Sequence, residues 1–379
     1  MGFRFIHTAD WQLGKSFGRF SEARAGELRS QRQEVITRIA DVARSRGAGH
    51  VVVAGDVWDT AIPGNATLRQ PLSIMGAAGD VTWWLLPGNH DPDGADGLWD
   101  RVEALAPENV KLLRDSAPVE AEPGVWFLPA PWRRIQHGAD LTDWMAGADT
   151  PDGDLRIGIA HGSVPGFAPE GEVESRQVIP RDRAATARLD YLALGDWHGR
   201  TAVDTRTHYS GTPEPDRHKA GARGQVLAVT VEVGSEPDVE EVPTAHFDWP
   251  VVRADFVPDN TLPTLDEVRT ALREGQPLHR TLARIEVSGE VTVAEWNAFE
   301  DFMAEMTGEC AALELRGDSA VKLVVVPEDI DALDAQGSVR EAAESLKARM
   351  EDADLSREDR NVAADALRLL LRYGREEVA

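Results

Sequence analysis

Short apolar runs that end in Gly, Asp, Asn or His set the pattern of the first half of the chain. Residues 3–10, 50–56, 81–89 and 155–161 are such runs, and each reads as a buried strand. Between the first two, Leu28, Val35, Ile36, Ile39 and Val42 recur at helical spacing in a polar stretch, which predicts a long helix over residues 22–46. Further strands are expected at 110–114, 125–129, 191–195, 208–211 and 225–232. The later strands follow one another without helical pattern between them. That favours an α/β fold of four layers, an α/β/β/α sandwich, over a purely parallel sheet.

Residues 234–249 are acidic and contain proline, and they read as a linker. A smaller α/β unit is expected beyond it, with strands at 251–256 and 282–287. Thr264-x-x-Glu267 and Thr292-x-x-Glu295 carry the capping-box pattern and are expected to open helices. Residues 312–315 and 321–326 read as a closing hairpin. The tail is expected to be helical. Ser338-x-x-Glu341 opens one helix and Ser356-x-x-Asp359 a second, with Val362, Ala366, Leu369, Leu370 and Tyr373 on one face and Gly374 as its stop. The expected domains are 1–233, 250–328 and a helical segment at 336–379.

Composition narrows the class. The 379 residues are 42% hydrophobic and 28% charged, as in a globular protein with one large domain and one or two small ones. No apolar stretch reaches the roughly 18 residues that span a bilayer, and no basic–apolar–small leader pattern is present. A cytoplasmic protein with no membrane partner is therefore expected. The single cysteine, Cys310, rules out an internal disulfide and a cysteine-based metal site, and it reads as a buried inert thiol. The net charge of −25 opposes nucleic-acid binding through a generally basic surface. It leaves room for a nuclease whose positive charge comes from bound metal or a partner subunit, and solubility alone is an equally good reading of it.

Chemistry concentrates where the apolar runs end. Asp10-Trp11-Gln12, Gly55-Asp56-Val57-Trp58-Asp59, Gly88-Asn89-His90-Asp91, Ala160-His161-Gly162 and Gly195-Asp196-Trp197-His198 each sit at such an end. Carboxylates, imidazoles and an amide gathered from five strand ends suit a two-metal hydrolytic site, which activates a water and holds a phosphate together. A lone Gly-Asp or a lone histidine at a strand end is usually a turn residue or a polar cap. Five in this order outweigh that reading. Trp11, Trp58 and Trp197 adjoin these positions and read as packing that fixes side-chain rotamers, with stacking on a nucleobase as the alternative.

Together these motifs resemble the calcineurin-like metallophosphoesterase superfamily, and within it the DNA-repair exonuclease branch, the SbcD-type nuclease subunit. The likeness runs from Ile6-His7-Thr8-Ala9-Asp10-Trp11-Gln12-Leu13-Gly14 through Gly55-Asp56-Val57-Trp58-Asp59 and Pro87-Gly88-Asn89-His90-Asp91 to Tyr209-Ser210-Gly211-Thr212-Pro213-Glu214. The resemblance implies a metallophosphoesterase sandwich holding two divalent ions, with Asp10, Gln12, Asp56 and His198 at metal one and Asp56, Asn89, His161 and Asp196 at metal two. It implies that His90 is the general acid or a transition-state donor. Read from the residues themselves, Asp59 supports a ligand, and Asp91 either orients His90 or is a solvated or helix-capping carboxylate. Members commonly carry His where Gln12 and Asp196 stand. Replacing nitrogen by oxygen ligands favours Mn²⁺, with Mg²⁺ or Fe as alternatives, over Zn²⁺, and is expected to leave site one the weaker.

The function so implied is a Mn²⁺-dependent DNA exonuclease or phosphodiesterase of DNA repair, acting with an SbcC/Rad50-type ATPase; a homodimer is one option, being common in the family, but the sequence does not fix the oligomeric state. The unit after residue 250 looks like the family's capping domain, and Val362, Leu369, Leu370 and Tyr373 would dock on the ATPase or else pack on their own small domain. Two rivals stand beside this reading. One is a phosphomonoesterase or cyclic-nucleotide phosphodiesterase on the same scaffold. The other, prompted by Gln12 and Asp196, is a catalytically weak scaffold subunit.

Overall fold

The computed structural model describes residues 2–94, 97–133, 140–166, 178–218, 223–258, 260–324 and 337–376. The chain divides into two compact units, Met1–His246 and Phe247–Ala379. In the first, the elements run β1 (Phe3–Thr8), α1 (Glu22–Arg46), β2 (His50–Val53), α2 (Asn65–Ala77), β3 (Thr82–Leu85), α3 (Leu98–Leu105), β4 (Val110–Leu112), β5 (Val119–Glu122), β6 (Val125–Ala130), β7 (Leu155–His161), α4 (Arg183–Thr186), β8 (Tyr191–Gly195), β9 (Thr201–Ala202), β10 (Thr207–Tyr209), β11 (Gln225–Val231) and β12 (Asp238–Pro243).

These strands form two six-stranded sheets, in the orders β12-β11-β1-β2-β3-β4 and β5-β6-β7-β8-β10-β9. Neighbours β1 to β4 are parallel, as are β6, β7, β8 and β10. Side chains alternate across a strand, so each sheet feeds two cores. Phe5, Val52 and Trp84 point inward to meet Phe127, Ile157, Ile159 and Tyr191 of the second sheet. Ile6, Val51 and Val53 point the other way, onto Val35, Ile36 and Ile39 of α1 and Leu68 and Leu72 of α2. On the far side of the second sheet, Leu128, Ala160, Leu192 and Leu194 pack with Met145 and Ala184. This is the expected α/β/β/α sandwich. Both faces of its parallel strands are buried, which is why they read as continuous apolar runs.

Helix α1 occupies the residues its periodicity marks. Ser21 caps its start, and Gly47 ends it in the left-handed conformation (φ 63°), with its N–H on the last carbonyls. Residues 234–249, read as a linker, instead contain β12, which pairs antiparallel with β11 and closes the edge of the first sheet. Its acidic side chains are mostly exposed, as an edge strand allows.

The second unit holds β13 (Val251–Phe256), α5 (Thr261–Arg273), β14 (Leu282–Thr292), α6 (Val293–Glu309), β15 (Ala312–Arg316), β16 (Lys322–Val324), α7 (Ser338–Glu351) and α8 (Arg357–Glu376). Three expectations are corrected here. The hairpin is absent: β15 and β16 both pair parallel to β14, at Leu282–Glu286 and Glu290–Thr292 respectively. A 3-10 turn after Gly317 (φ 84°) carries the chain onward in the same direction, and the 11-residue β14 is long enough to take both partners. Residues 325 and 326 of the expected strand lie outside the described residues. Thr264 does not open α5; the helix starts at Thr261, and the Thr264 hydroxyl donates back to the Asn260 carbonyl at 3.0 Å. Nor does Gly374 end α8, which continues to Glu376.

Thr292 and Glu295 form the expected capping box. On α8, Ala363 and Leu367 are buried and Leu370 packs beside Leu367 against Val293 and Ala343, whereas Val362 and Leu369 are 62% and 44% exposed. The Tyr373 side chain lies outside the described residues. No described helix is long and apolar enough to cross a membrane.

The two sheets touch at Gly195. A Cβ there would stand 2.0 Å from the Ala54 carbonyl oxygen and 2.8 Å from Ala9 Cβ, and neither can swing aside. Gly195→Ala is expected to destabilise the first unit by about 1–3 kcal/mol in urea unfolding. Gly49→Ala, with nothing within 4 Å of the new methyl, should stay within about 0.5 kcal/mol of wild type.

Candidate metal centre

Parallel β1, β2 and β3 end at one edge of the first sheet, and parallel β7 and β8 end at the facing edge of the second. The loops leaving those ends carry the expected site residues, at the carboxyl ends of the strands where open α/β sheets hold ligands. A hydrogen bond joins the edges: His161 Nδ1 donates to the Ala54 carbonyl at 2.9 Å. Glycine allows the approach. A Cβ on Gly55 would lie 2.3 Å from His161 Nδ1, and one on Gly88 would lie 2.3 Å from both the backbone nitrogen and Oδ1 of Asp56.

The other ring nitrogen of His161 is where the site converges. Nε2 lies 3.1 Å from Asn89 Oδ1, 3.4 Å from Asp56 Oδ1 and 3.7 Å from Asp196 Oδ1. Ligand atoms of Asp10, Asp56 and His161 all fall within 4.8 Å of one another. Asp10 accepts the Asp196 backbone N–H at 3.2 and 3.3 Å through its two oxygens. Gln12 donates from Nε2 to Asp56 Oδ2 at 2.6 Å, and its Oε1 is buried without a hydrogen-bond partner among the described residues.

Backbone strain gathers at the same residues. Six non-glycine residues among those described have positive φ, and Asp10 (55°), Gln12 (49°), Asp56 (57°) and Asp196 (108°) are four of them. Each such residue costs about 1–3 kcal/mol, which surrounding packing must offset.

The charges are as concentrated as the geometry. Burial raises the Asp10 carboxyl to about 6, against the opposing pull of the His198 and His161 imidazoles. Burial alone would depress His161. The carboxylates of Asp56, Asp10 and Asp196, with the Ala54 carbonyl, hold it up to about 9 instead. A proton on His161 thus sits among oxygens that together attract a cation. The donor set fits a divalent metal: buried carboxylates, an imidazole, and an amide oxygen with nothing else to bind.

Not every expected residue lies in that cluster. His198 is buried, with Nδ1 3.1 Å from Asp216 Oδ1 and Nε2 3.2 Å from the Arg217 guanidinium. His90 is exposed at the rim; its backbone N–H donates to Asp56 Oδ1 at 2.9 Å and its Nδ1 to the Asp59 carbonyl at 3.2 Å. The Asp59 carboxylate faces Lys15 at 3.6 Å. Asp91 does not orient the His90 ring. Fully buried, it accepts the N–H groups of Gly88 (2.7 Å) and Trp58 (3.0 Å) and so ties the second and third loops together.

Trp11, Trp58 and Trp197 are buried. Trp11 bonds Thr8, Trp58 packs edge-on against Trp99, and Trp197 stacks on Tyr209, so all three are packing residues. Two polar residues escaped the sequence reading. Ser163 donates to Asp196 Oδ2 at 2.8 Å, and Asp216 holds His198. Ser163 stands two positions after His161, but Asp216 lies in a loop with no periodicity to mark it.

A buried cluster of carboxylates, imidazole and amide at the carboxyl ends of two facing sheets defines a metal-dependent phosphoesterase. The chain belongs to the calcineurin-like phosphoesterase family, whose model matches residues 3–225. It is 25% identical over 276 residues to the SbcD chain of the SbcCD nuclease of Escherichia coli strain K12, across 63% of this chain and 68% of that protein. The corresponding SbcCD nuclease chain of Bacillus subtilis strain 168 is 28% identical over 107 residues, 27% of this chain and 24% of that one. The crystal structure of TT1561 from Thermus thermophilus aligns with 64% of this chain and all of its own at 11% identity, with a TM-score of 0.41, a likeness too slight to argue from.

Ligation requires a neutral imidazole, and the metal-free His161 is protonated at neutral pH because its pKa stands near 9. Calorimetric titration with Mn²⁺ in buffers of different ionisation enthalpy is expected to show release of about one proton at neutral pH. Affinity should rise about tenfold per pH unit until the pH reaches the His161 pKa, since less protonated ring must be emptied. Binding with no proton release would place the metal elsewhere.

Proposed function

We propose that the chain is a Mn²⁺-dependent nuclease that hydrolyses phosphodiester bonds of DNA with two divalent ions, in company with an SbcC/Rad50-type ATPase. The observation that carries this reading is the closure of Asp56, Asn89 and Asp196 on Nε2 of His161. These four residues would hold one ion. Asp10, Gln12 and His198 would hold the other, with Asp56 shared between the two. When bound, such a pair polarises a phosphoryl oxygen and lowers the pKa of water.

The chain's own residues supply the rest. Asp56 is pinned by the Gln12 amide on one oxygen and the His90 N–H on the other, so its two oxygens keep a fixed aspect toward the cleft. Asn89 and His90 leave the same turn, which places a neutral oxygen donor beside a proton donor. Because His90 gives Nδ1–H to the Asp59 carbonyl, Nε2 is the nitrogen that faces the substrate, and it would hand a proton to the leaving oxygen from the doubly protonated ring, which returns to the neutral Nδ1–H form. Gln12 and Asp196 stand where an all-histidine set would bring nitrogen, and this oxygen-rich shell supports Mn²⁺.

A nuclease is proposed because the relatives that the chain matches are nuclease subunits by name, and DNA as its substrate is carried over from the resemblance to the exonuclease branch. A partner subunit is proposed from the same names, which make those proteins one subunit of a nuclease; that the partner is an SbcC/Rad50-type ATPase is carried over from the family resemblance. Exposed Val362 and Leu369 on α8 are the proposed contacts.

Nucleotide release from end-labelled single- and double-stranded DNA in Mn²⁺ is the direct test. Asp56→Asn removes a shared ligand and is expected to lower the rate more than about a hundredfold, since even supporting residues around a metal cost about 10–100-fold. Hydrolysis of small phosphate esters with no action on DNA would select the small-substrate rival. His90→Ala is expected to keep its metal content and lose about 10²–10⁴-fold in rate. A wild-type rate in that variant would remove His90 from the chemistry.

A further inference from the structure

The loop that follows β10 brings a buried carboxylate against His198. Its path is well anchored. Thr212 donates its N–H to the His198 carbonyl at 3.1 Å, the Glu214 carboxylate holds Arg38 and the His246 N–H at 2.7 Å each, and Arg32 bonds the Glu214 carbonyl at 2.7 Å. Two residues on, the Asp216 side chain is only 1% exposed. Its Oδ1 lies 3.1 Å from His198 Nδ1 and 3.2 Å from Arg217 Nε, and its Oδ2 lies 2.8 Å from Lys15 Nζ.

We infer that Asp216 is a positioning residue that holds His198 in a single tautomer, with the proton on Nδ1 and the lone pair on Nε2. The contact with Asp216 sets the tautomer. An ionised carboxylate only accepts hydrogen bonds, so the nitrogen facing Asp216 must donate. Arg217 Nη2 lies 3.2 Å from Nε2 and 3.5 Å from Nδ1, beside both ring nitrogens, and does not choose between them. With Nδ1–H given to Asp216, Nε2 keeps the lone pair that can ligate a cation. Carboxylates that hold the far nitrogen of a metal-bound imidazole fix its orientation and raise its basicity. Lys15 carries the arrangement further. It bridges Asp216 to Asp59, whose carbonyl accepts from His90, so one ammonium links the loops that hold the two imidazoles.

This inference deepens the metal-site reading and rests on it for the role of His198, although the tautomer itself can be read without metal. Long-range proton–nitrogen NMR of the metal-free, nitrogen-15-labelled chain reports which ring nitrogen is protonated, with His198→Gln to assign the signals. Wild type is expected to show His198 protonated at Nδ1, and Asp216→Ala to shift the ring toward the Nε2–H form. The isosteric Asp216→Asn decides if the alanine variant does not fold. In it, calorimetric titration with Mn²⁺ should show one binding event weakened about 10–100-fold and the other unchanged. A wild-type ring protonated at Nε2, or both affinities unchanged in Asp216→Asn, overturns the inference. A wild type that binds no Mn²⁺ yet keeps Nδ1 protonated supports the tautomer and refutes the metal-site reading, so the two failures are distinct.

Discussion

Everything else in the first unit depends on the repulsion among Asp10, Asp56 and Asp196. Three carboxylates at the meeting of two sheets would drive those sheets apart without positive charge between them, because low-dielectric surroundings strengthen the repulsion. A proton on His161 supplies one positive charge, and its elevated pKa measures how strongly the site demands it. A divalent ion answers the same demand with more charge and more oxygen contacts. The acidity that looks unsuited to phosphate esters is thus what prepares a place for metal, and metal is what makes the place attractive to phosphate.

Holding those groups together requires particular local features of the backbone and loops. Gly55, Gly88 and Gly195 let backbone and imidazole approach to distances that any side chain would prevent. Asp10, Gln12, Asp56 and Asp196 stand in left-handed or otherwise strained backbone, and the hydrogen bonds at their ends offset that strain. Asp91 and Asp216 then fix the loops from behind, one through two backbone N–H groups and the other through His198, Arg217 and Lys15. Rigid strands and these loop ties keep the geometry around Gln12 and Asp196. The amide of Gln12 ties the first loop to the second through its 2.6 Å hydrogen bond to Asp56.

Much of this was legible along the chain. Buried parallel strands announce themselves as apolar runs, and α1 as a stripe of Val35, Ile36 and Ile39, because burial follows the repeat of the element. The second unit was harder. Its hairpin reading failed because apolar alternation shows that β15 and β16 are strands but not which partner they choose, and a 3-10 turn of three residues decided it. The acidic stretch holding β12 read as linker because an edge strand exposes most of its side chains and so loses the apolar signal.

The sequence by itself determined the elements of the sandwich and the five motifs at its strand ends, because local periodicity and short spacings are properties of the chain alone. Only the tertiary structure decided that Asn89, Asp56 and Asp196 meet at one nitrogen of His161, that Asp91 braces loops rather than the His90 ring, and that Asp216 faces His198. Asp216 and His198 stand 18 positions apart in sequence, and Asn89 and His161 stand 72 apart on different sheets. Their distances are set by how the sheets pack, a quantity no stretch of sequence carries.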